Sequence, residues 1–212
     1  MIVYGSSFSP FVRKTLAFIS EKGLSAEVKP VRFQDADPAF RAASPFGKMP
    51  GFRDGDFAIS DSTAIITYLE AAHPEPALYP SDPKDRARTV WFEEFADTIL
   101  IATMGKVFFN RIVSPTFLGQ PGDLALAEMA EKKEFPPLVD YIEGQIPDSG
   151  FLVGDRLTLA DLAVASPFAN FAHCGITVEA ATHPKTAAFV TAILTRPSFA
   201  PLVAQETAFL SR

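Results

Sequence analysis

The sequence predicts a two-domain protein, a small α+β domain followed by an all-helical one. Up to about residue 73, short β-prone runs are interleaved with helical periodicity, whereas everything after residue 84 carries only helical periodicity. Between the two runs HPEPALYPSDPK, where Pro74, Pro76, Pro80 and Pro83 exclude a helix or a central strand and stiffen the chain. A length of 212 residues suffices for two cores. The expected division is residues 1–75, a linker at 76–83, and a helical domain at 84–212.

Ile2, Val3 and Tyr4 form the first β-prone run, and PFVRKTLAFISEKG then places Phe11, Val12, Thr15, Leu16 and Ile19 on one helical face. Lys22 and Gly23 stop that helix with a cation and a residue that tolerates positive φ. AEVKPVR alternates like a half-exposed strand, and a strand-helix-strand unit of this length requires parallel pairing. PGFRDGDFAIS holds two short apolar segments about Asp54-Gly55-Asp56, the signal of an antiparallel hairpin. DSTAIITYLEAAHP opens with helix-start residues and carries Ile65, Ile66 and Leu69 on a buried face. The order βαβ, short helix, ββα resembles the thioredoxin-like fold with its mixed four-stranded sheet.

Composition excludes several functions. The formal charge is −6 and Lys and Arg do not cluster, so nucleic acid is not an expected partner. No apolar run approaches the roughly 20 residues a bilayer span needs, and the N-terminus has no secretory pattern, so no membrane partner and a cytoplasmic location are expected. The single cysteine, Cys174, excludes an intrachain disulfide and reads as a small core residue. His73, His173 and His183 have no spacing that makes a metal site, and none is expected.

Three stretches near the strand ends can carry chemistry. Ser9-Pro10 suits a helix N-cap, and a serine hydroxyl that accepts a backbone N–H can still donate outward to an anion at the positive helix end. Ser6 and Ser7 compete with it, Ser7 being the second choice. Met49-Pro50 precedes a strand, where a cis bond would expose the Met49 backbone to an extended ligand and a trans turn is the plain alternative. Asp61-Ser62 opens a helix either as a capping pair or as a grip on a ligand's carboxylate and ammonium.

Taken together, SPFVRK with EKGL, SPFGKMP, ISDSTAIITYLE and FLVGDRLTLADLAVA resemble, in order and over nearly the whole chain, the motifs of the cytosolic glutathione transferases, most like the serine-type tau and phi classes. The resemblance implies that Ser9 contacts the glutathione sulfur, that Lys48 meets the glycine carboxylate, that the backbone of Met49 before Pro50 pairs with the cysteinyl residue, and that Asp61 and Ser62 hold the γ-glutamyl end. It implies glutathione as co-substrate, a hydrophobic electrophile as second substrate, conjugation as the reaction, and a homodimer. A glutathione-dependent isomerase or dehalogenase, or a non-catalytic ligand carrier, are the alternatives. Ser44 stands where the family commonly has asparagine, and Asp61 where glutamate is commoner.

Keeping a thiol mostly ionised at neutral pH requires a depression of about two units from 8.5, or about 2.7 kcal/mol. A hydrogen bond to the charged sulfur contributes about 1.5–3 kcal/mol and a helix N-terminus about 0.3–1 kcal/mol. A donating serine is therefore sufficient. Arg13, one turn beyond Ser9, either adds positive potential or forms a structural salt bridge. Tyr4 reads as strand packing.

Residues 84–112 read as one long helix, mostly core, which in the resembled family faces the first domain. Phe11 together with Phe95, Ile99 and Thr103, and beside them Phe108 and Phe109, are the candidates for the electrophile's apolar surroundings. Thr158-Leu159-Ala160-Asp161 has capping-box spacing, with Leu157 placed to staple onto Leu162.

Overall fold

The computed structural model describes residues 1–32 and 35–211. The chain divides into two compact units, one made of Met1–Tyr79 with Arg196–Arg212, the other of Pro80–Thr195.

The first unit runs β1 (Ile2–Tyr4), α1 (Pro10–Glu21), β2 (Glu27–Lys29), α2 (Pro38–Ala43), β3 (Gly51–Asp54), β4 (Phe57–Ser60) and α3 (Ser62–Ala72). Its four-stranded sheet has the order β2-β1-β3-β4. β1 pairs parallel with β2 and antiparallel with β3, and β3 pairs antiparallel with β4. This is the mixed sheet of the thioredoxin-like arrangement. Asp54 pairs with Phe57, so Gly55 and Asp56 form the tight turn, with Gly55 at φ 56°. β2 corrects one expectation: it spans three residues and all three are exposed, with no alternation. As an edge strand it has one neighbour only, and Pro30 removes the next donor.

Val12, Ala17, Phe18 and Ile19 on α1 and Ile65, Ile66 and Leu69 on α3 are buried to 2 % exposure or less, and the two helices pack on each other. α1 stops as its sequence requires, at Lys22 with Gly23 at φ 69°. Lys22 is also buried, and its ammonium donates to the carbonyls of His73 at 2.8 Å and Pro76 at 2.7 Å while pairing with Glu70. Glu70 in turn accepts from the N–H groups of Leu78 and Tyr79. The proline-rich segment is thereby bonded to the ends of α1 and α3.

The last helix, α10 (Ala200–Leu210), is part of this first unit. The second unit holds α4 (Pro83–Glu94), α5 (Ile101–Phe108), α6 (Leu124–Met129), α7 (Phe135–Gln145), α8 (Leu159–His173) and α9 (Pro184–Leu194). The helix expected at 84–112 is longer and less regular than its periodicity implies. Wider π turns at Phe95–Leu100 and Phe109–Phe117 flank α5, so the helical run extends from Pro83 to Phe117. Pro115 lies within the second of these, where the usual i→i−4 bonding is already relaxed, and Gly119 at φ 63° follows its end.

Every residue of α8 from Leu159 to Phe171 is buried, which makes it the central helix of the unit. Its start is the expected capping site. The Asp161 carboxylate accepts from the Thr158 N–H at 2.8 Å, the Thr158 hydroxyl at 3.2 Å and the Leu152 N–H at 2.8 Å. Cys174 departs from its reading as core: it is half-buried at the end of α8, and burial still pushes its thiol up to about 11. No helix among the described residues is long and apolar enough to cross a membrane.

Candidate functional site

The register of the sheet places the sequence-predicted residues of the first unit at one end. Tyr4 at the end of β1 faces Gly51 at the start of β3, and Gly51 faces Ser60 at the end of β4. The residues next beyond these positions are Gly5 to Ser9, Met49-Pro50 and Asp61-Ser62. Two direct observations tie them together. The Asp61 N–H donates to the Pro50 carbonyl at 3.3 Å. A Cβ on Gly5 would lie 2.6 Å from Val12 Cγ2 and 3.5 Å from Met49 Cβ, and Gly5 itself is at φ 152°, so glycine is required where the first loop passes α1 and Met49.

Ser9 is the N-cap of α1, with Pro10 in the first helical position. Its carbonyl accepts from the Arg13 N–H and its own N–H donates to Ser6, both at 2.9 Å. Its hydroxyl makes no capping bond, contrary to the expectation that it accepts a backbone N–H. The backbone turn to Ser6 and the fixed φ of Pro10 set the helix start without it, and the half-buried hydroxyl is left out of the helix's own bonding. Ser6 and Ser7 are also half-buried, and Ser6 serves the turn through its carbonyl. Tyr4 is 2 % exposed and packs against Phe40, as strand packing requires.

The Met49-Pro50 peptide bond is cis. The loop before it is fixed by Ser44, which is buried and donates its hydroxyl to the Lys48 carbonyl at 2.7 Å. Met49 packs partly against the core of Tyr4, Phe40 and Ala43, and Lys48 is exposed.

Asp61 caps α3, accepting from the Ala64 N–H at 3.1 Å, and its backbone holds φ 83° and ψ 128°. A non-glycine residue there is strained, and strain of this kind concentrates at binding sites. Ser62 follows as the first residue of α3, 3 % exposed, at a helix start whose leading N–H groups lie outside the intrahelical ladder. Arg13 takes the salt-bridge alternative: it is fully buried and pairs with Glu206 at 2.7 Å. Its charge is thus balanced inside the unit.

The side chains assigned to the electrophile fare differently. Phe11 is half-buried on α1. On the helical unit Ile99 is 43 % exposed and Phe109 47 % exposed, whereas Phe95 is buried against Tyr141 and Phe108 is 6 % exposed. Thr103 is buried and donates to Glu134 at 3.1 Å. Among the described residues no three His, Cys, Asp or Glu side chains gather as a metal site would require. The sequence reading missed Gly5, whose position between strand and helix was the available signal. It also missed Phe8, Glu206 and Phe209, which touch α1 and its approach and carry no local signal.

The family described as glutathione S-transferase, N-terminal domain, matches residues 3–77, and that described as glutathione S-transferase, C-terminal domain, matches residues 100–197. A glutathione S-transferase of Hyoscyamus muticus is 32 % identical over 211 residues, covering 96 % of this chain and 97 % of that one. A crystal structure of a glutathione S-transferase from Rhodospirillum rubrum F11 superposes with a TM-score of 0.87 at 26 % identity, over 95 % of this chain and 90 % of that one. A glutathione S-transferase-I bound with lactoylglutathione shares the fold, with a TM-score of 0.84 at 23 % identity over 96 % and 98 % of the two chains. By its sequence over almost the full length and by the fold of both units, the chain belongs to the glutathione S-transferase family and is a glutathione transferase.

Proposed function

We propose that Ser9 activates glutathione by donating its hydroxyl hydrogen to the sulfur, so that the bound thiol loses its proton to water and attacks a hydrophobic electrophile as thiolate. The observation that carries this reading is the state of the Ser9 hydroxyl, which is at a helix N-terminus and makes no capping bond. Its place at the sheet end shared with cis-Pro50 and Asp61-Ser62 supports the same reading. Serine stays neutral throughout, since stabilising the thiolate requires only a donor and the positive helix end.

The remaining contacts follow the tripeptide. The Met49 backbone pairs with the cysteinyl residue, Lys48 meets the glycine carboxylate, and Ser62 with the start of α3 holds the γ-glutamyl carboxylate. Asp61 uses one carboxylate oxygen on Ala64 and directs its charge to the γ-glutamyl ammonium. Of the side chains assigned to the electrophile, Phe11, Ile99 and Phe109 keep accessible surface. The family's homodimer is carried over with the reading, supported by large apolar side chains such as Phe46, 80 % exposed.

The test is conjugation of 1-chloro-2,4-dinitrobenzene, in which a C–S bond forms and chloride leaves. Ser9→Ala is expected to lower turnover near neutral pH by about ten- to a hundredfold, the value of one hydrogen bond to a charged group, while glutathione still binds. An unchanged pH–rate profile in Ser9→Ala overturns the role of Ser9. Glutathione binding without turnover in the unaltered protein points instead to a ligand carrier.

A further inference from the structure

Helix α1 is held along its length by the C-terminal segment. At its far end Glu21 accepts from the Arg196 guanidinium at 2.7 and 2.8 Å and from the Ser198 hydroxyl. In the middle the Arg13 guanidinium donates to Glu206 at 3.1 and 2.7 Å, with the two side chains 0 % and 1 % exposed. Just before its start, Phe8 packs edge-on against Phe209 with ring centres 5.6 Å apart. As the numbers rise from 196 to 209 the partners fall from 21 to 8, so α10 runs antiparallel to α1 as a strap. All three contacts lie inside one compact unit.

Each contact bears on Ser9 differently. The Arg196 pair is three turns away. Arg13 is the residue whose N–H binds the Ser9 carbonyl, so its side chain and its backbone link Glu206 directly to the N-cap. Phe8 immediately precedes Ser9. A hydroxyl that makes no capping bond has nothing of its own helix to orient it, and its position depends on how firmly the backbone on either side is held.

We infer that Glu206 and Phe209 are positioning residues for catalysis, aligning the Ser9 hydroxyl with the glutathione sulfur through Arg13 and Phe8. This rests on the proposed role of Ser9 as the sulfur's donor. A donor displaced by a fraction of an ångström stabilises the thiolate less, so the bound thiol ionises at higher pH while the rest of the tripeptide grip is untouched.

Two variants keep the charges as they are. Glu206→Asp shortens the carboxylate's reach by one methylene and leaves the ion pair's charge in place. Phe209→Ala removes a ring that is 46 % exposed, which leaves the fold intact even where the buried pair does not tolerate change. The readout is the pH titration of the thiolate absorbance of glutathione bound to each protein, with Ser9→Ala alongside. Both variants are expected to raise the thiol's pKa by about half to one unit and to lower kcat/KM near neutral pH about three- to tenfold, with glutathione affinity within about twofold and the rate loss recovered at high pH. If Glu206→Asp and Phe209→Ala lower thermal stability but leave the thiol's pKa where it is, the strap is structural only and the inference is overturned. A shift in Ser9→Ala with none in the strap variants removes only this inference. No shift in Ser9→Ala removes the Ser9 reading itself.

Discussion

Helices α1 and α8 both begin with a hydroxyl residue at the N-cap, and the two starts are built in opposite ways. At α8 nothing is left over: the Asp161 carboxylate takes the N–H and hydroxyl of Thr158 and the N–H of Leu152, all inside the helical core. At α1 the backbone and Pro10 complete the start and the Ser9 hydroxyl is not used by the helix. A cap whose bonding capacity is fully consumed serves the fold, and one held in place by other means leaves its donor outside the helix's own bonding, as the proposed role of Ser9 needs. The largest effect that sharpens this contrast is expected from Asp161→Ala. Three buried donors lose their acceptor, and stability measured by urea unfolding should fall by about 3–5 kcal/mol while turnover per folded molecule stays the same.

The pH dependence of that same carboxylate gives the next test. Burial pushes Asp161 up to about 6, against the opposing pull of the N–H donors of Leu152 and Thr158. Its folded value therefore lies above its unfolded value of about 3.9, and between the two the folded state binds the proton more tightly. Stability contributed by this group is complete below about pH 4 and is lost as pH rises through about 6, by about 2–3 kcal/mol. The difference in unfolding free energy between the unaltered protein and Asp161→Asn should shrink over that window. A difference that grows instead means that the hydrogen bonds outweigh burial and that the group is held below its ordinary value.

For Ser9→Ala the contrast requires an almost silent stability result. A hydroxyl that caps its helix contributes about 0.5–2 kcal/mol, and one that makes no capping bond should cost less than about 0.5 kcal/mol to remove. A loss at the larger end, measured by thermal unfolding, would show that Ser9 caps α1 in solution, and the opposition between the two starts would disappear.

The sequence itself separates these cases only in part. The Asp54-Gly55 hairpin and the buried face of α3 were readable because each rests on contacts a few residues apart or on a single periodicity, and the parallel β1-β2 pair because a strand-helix-strand connection of that length requires it. The positions of Ser9, Met49-Pro50 and Asp61-Ser62 at one sheet end follow once the strand order is known. The strap was not readable: Arg13 and Glu206 are 193 positions apart, and a buried arginine on α1 looks in sequence like any solvated one. That α10 joins the first unit is equally a matter of contacts between the two ends of the chain. The π turns about α5 escaped because aromatic residues on several faces leave the period of the run undefined. The silence of the Ser9 hydroxyl was also invisible, since Ser-Pro carries the same signature whether or not the side chain bonds.

α3 lies between the two extremes, and Asp61→Asn measures how its start is divided. One Asp61 oxygen caps Ala64, as a fold-serving residue would, while its strained φ of 83° is a conformation that a cap alone does not require. Asparagine tolerates positive φ and its amide oxygen can still accept from Ala64, so unfolding should change by less than about 0.5 kcal/mol. On the proposed role of Asp61, the lost charge removes an exposed ion pair with the γ-glutamyl ammonium, worth about 0.2–1 kcal/mol, so glutathione should bind up to about fivefold more weakly by calorimetry. Asp61→Ala removes cap and charge together and should lower both stability and affinity. Unchanged affinity in Asp61→Asn would return Asp61 to the class of Asp161, a residue whose side chain belongs to the helix, and would leave the ammonium to some other acceptor.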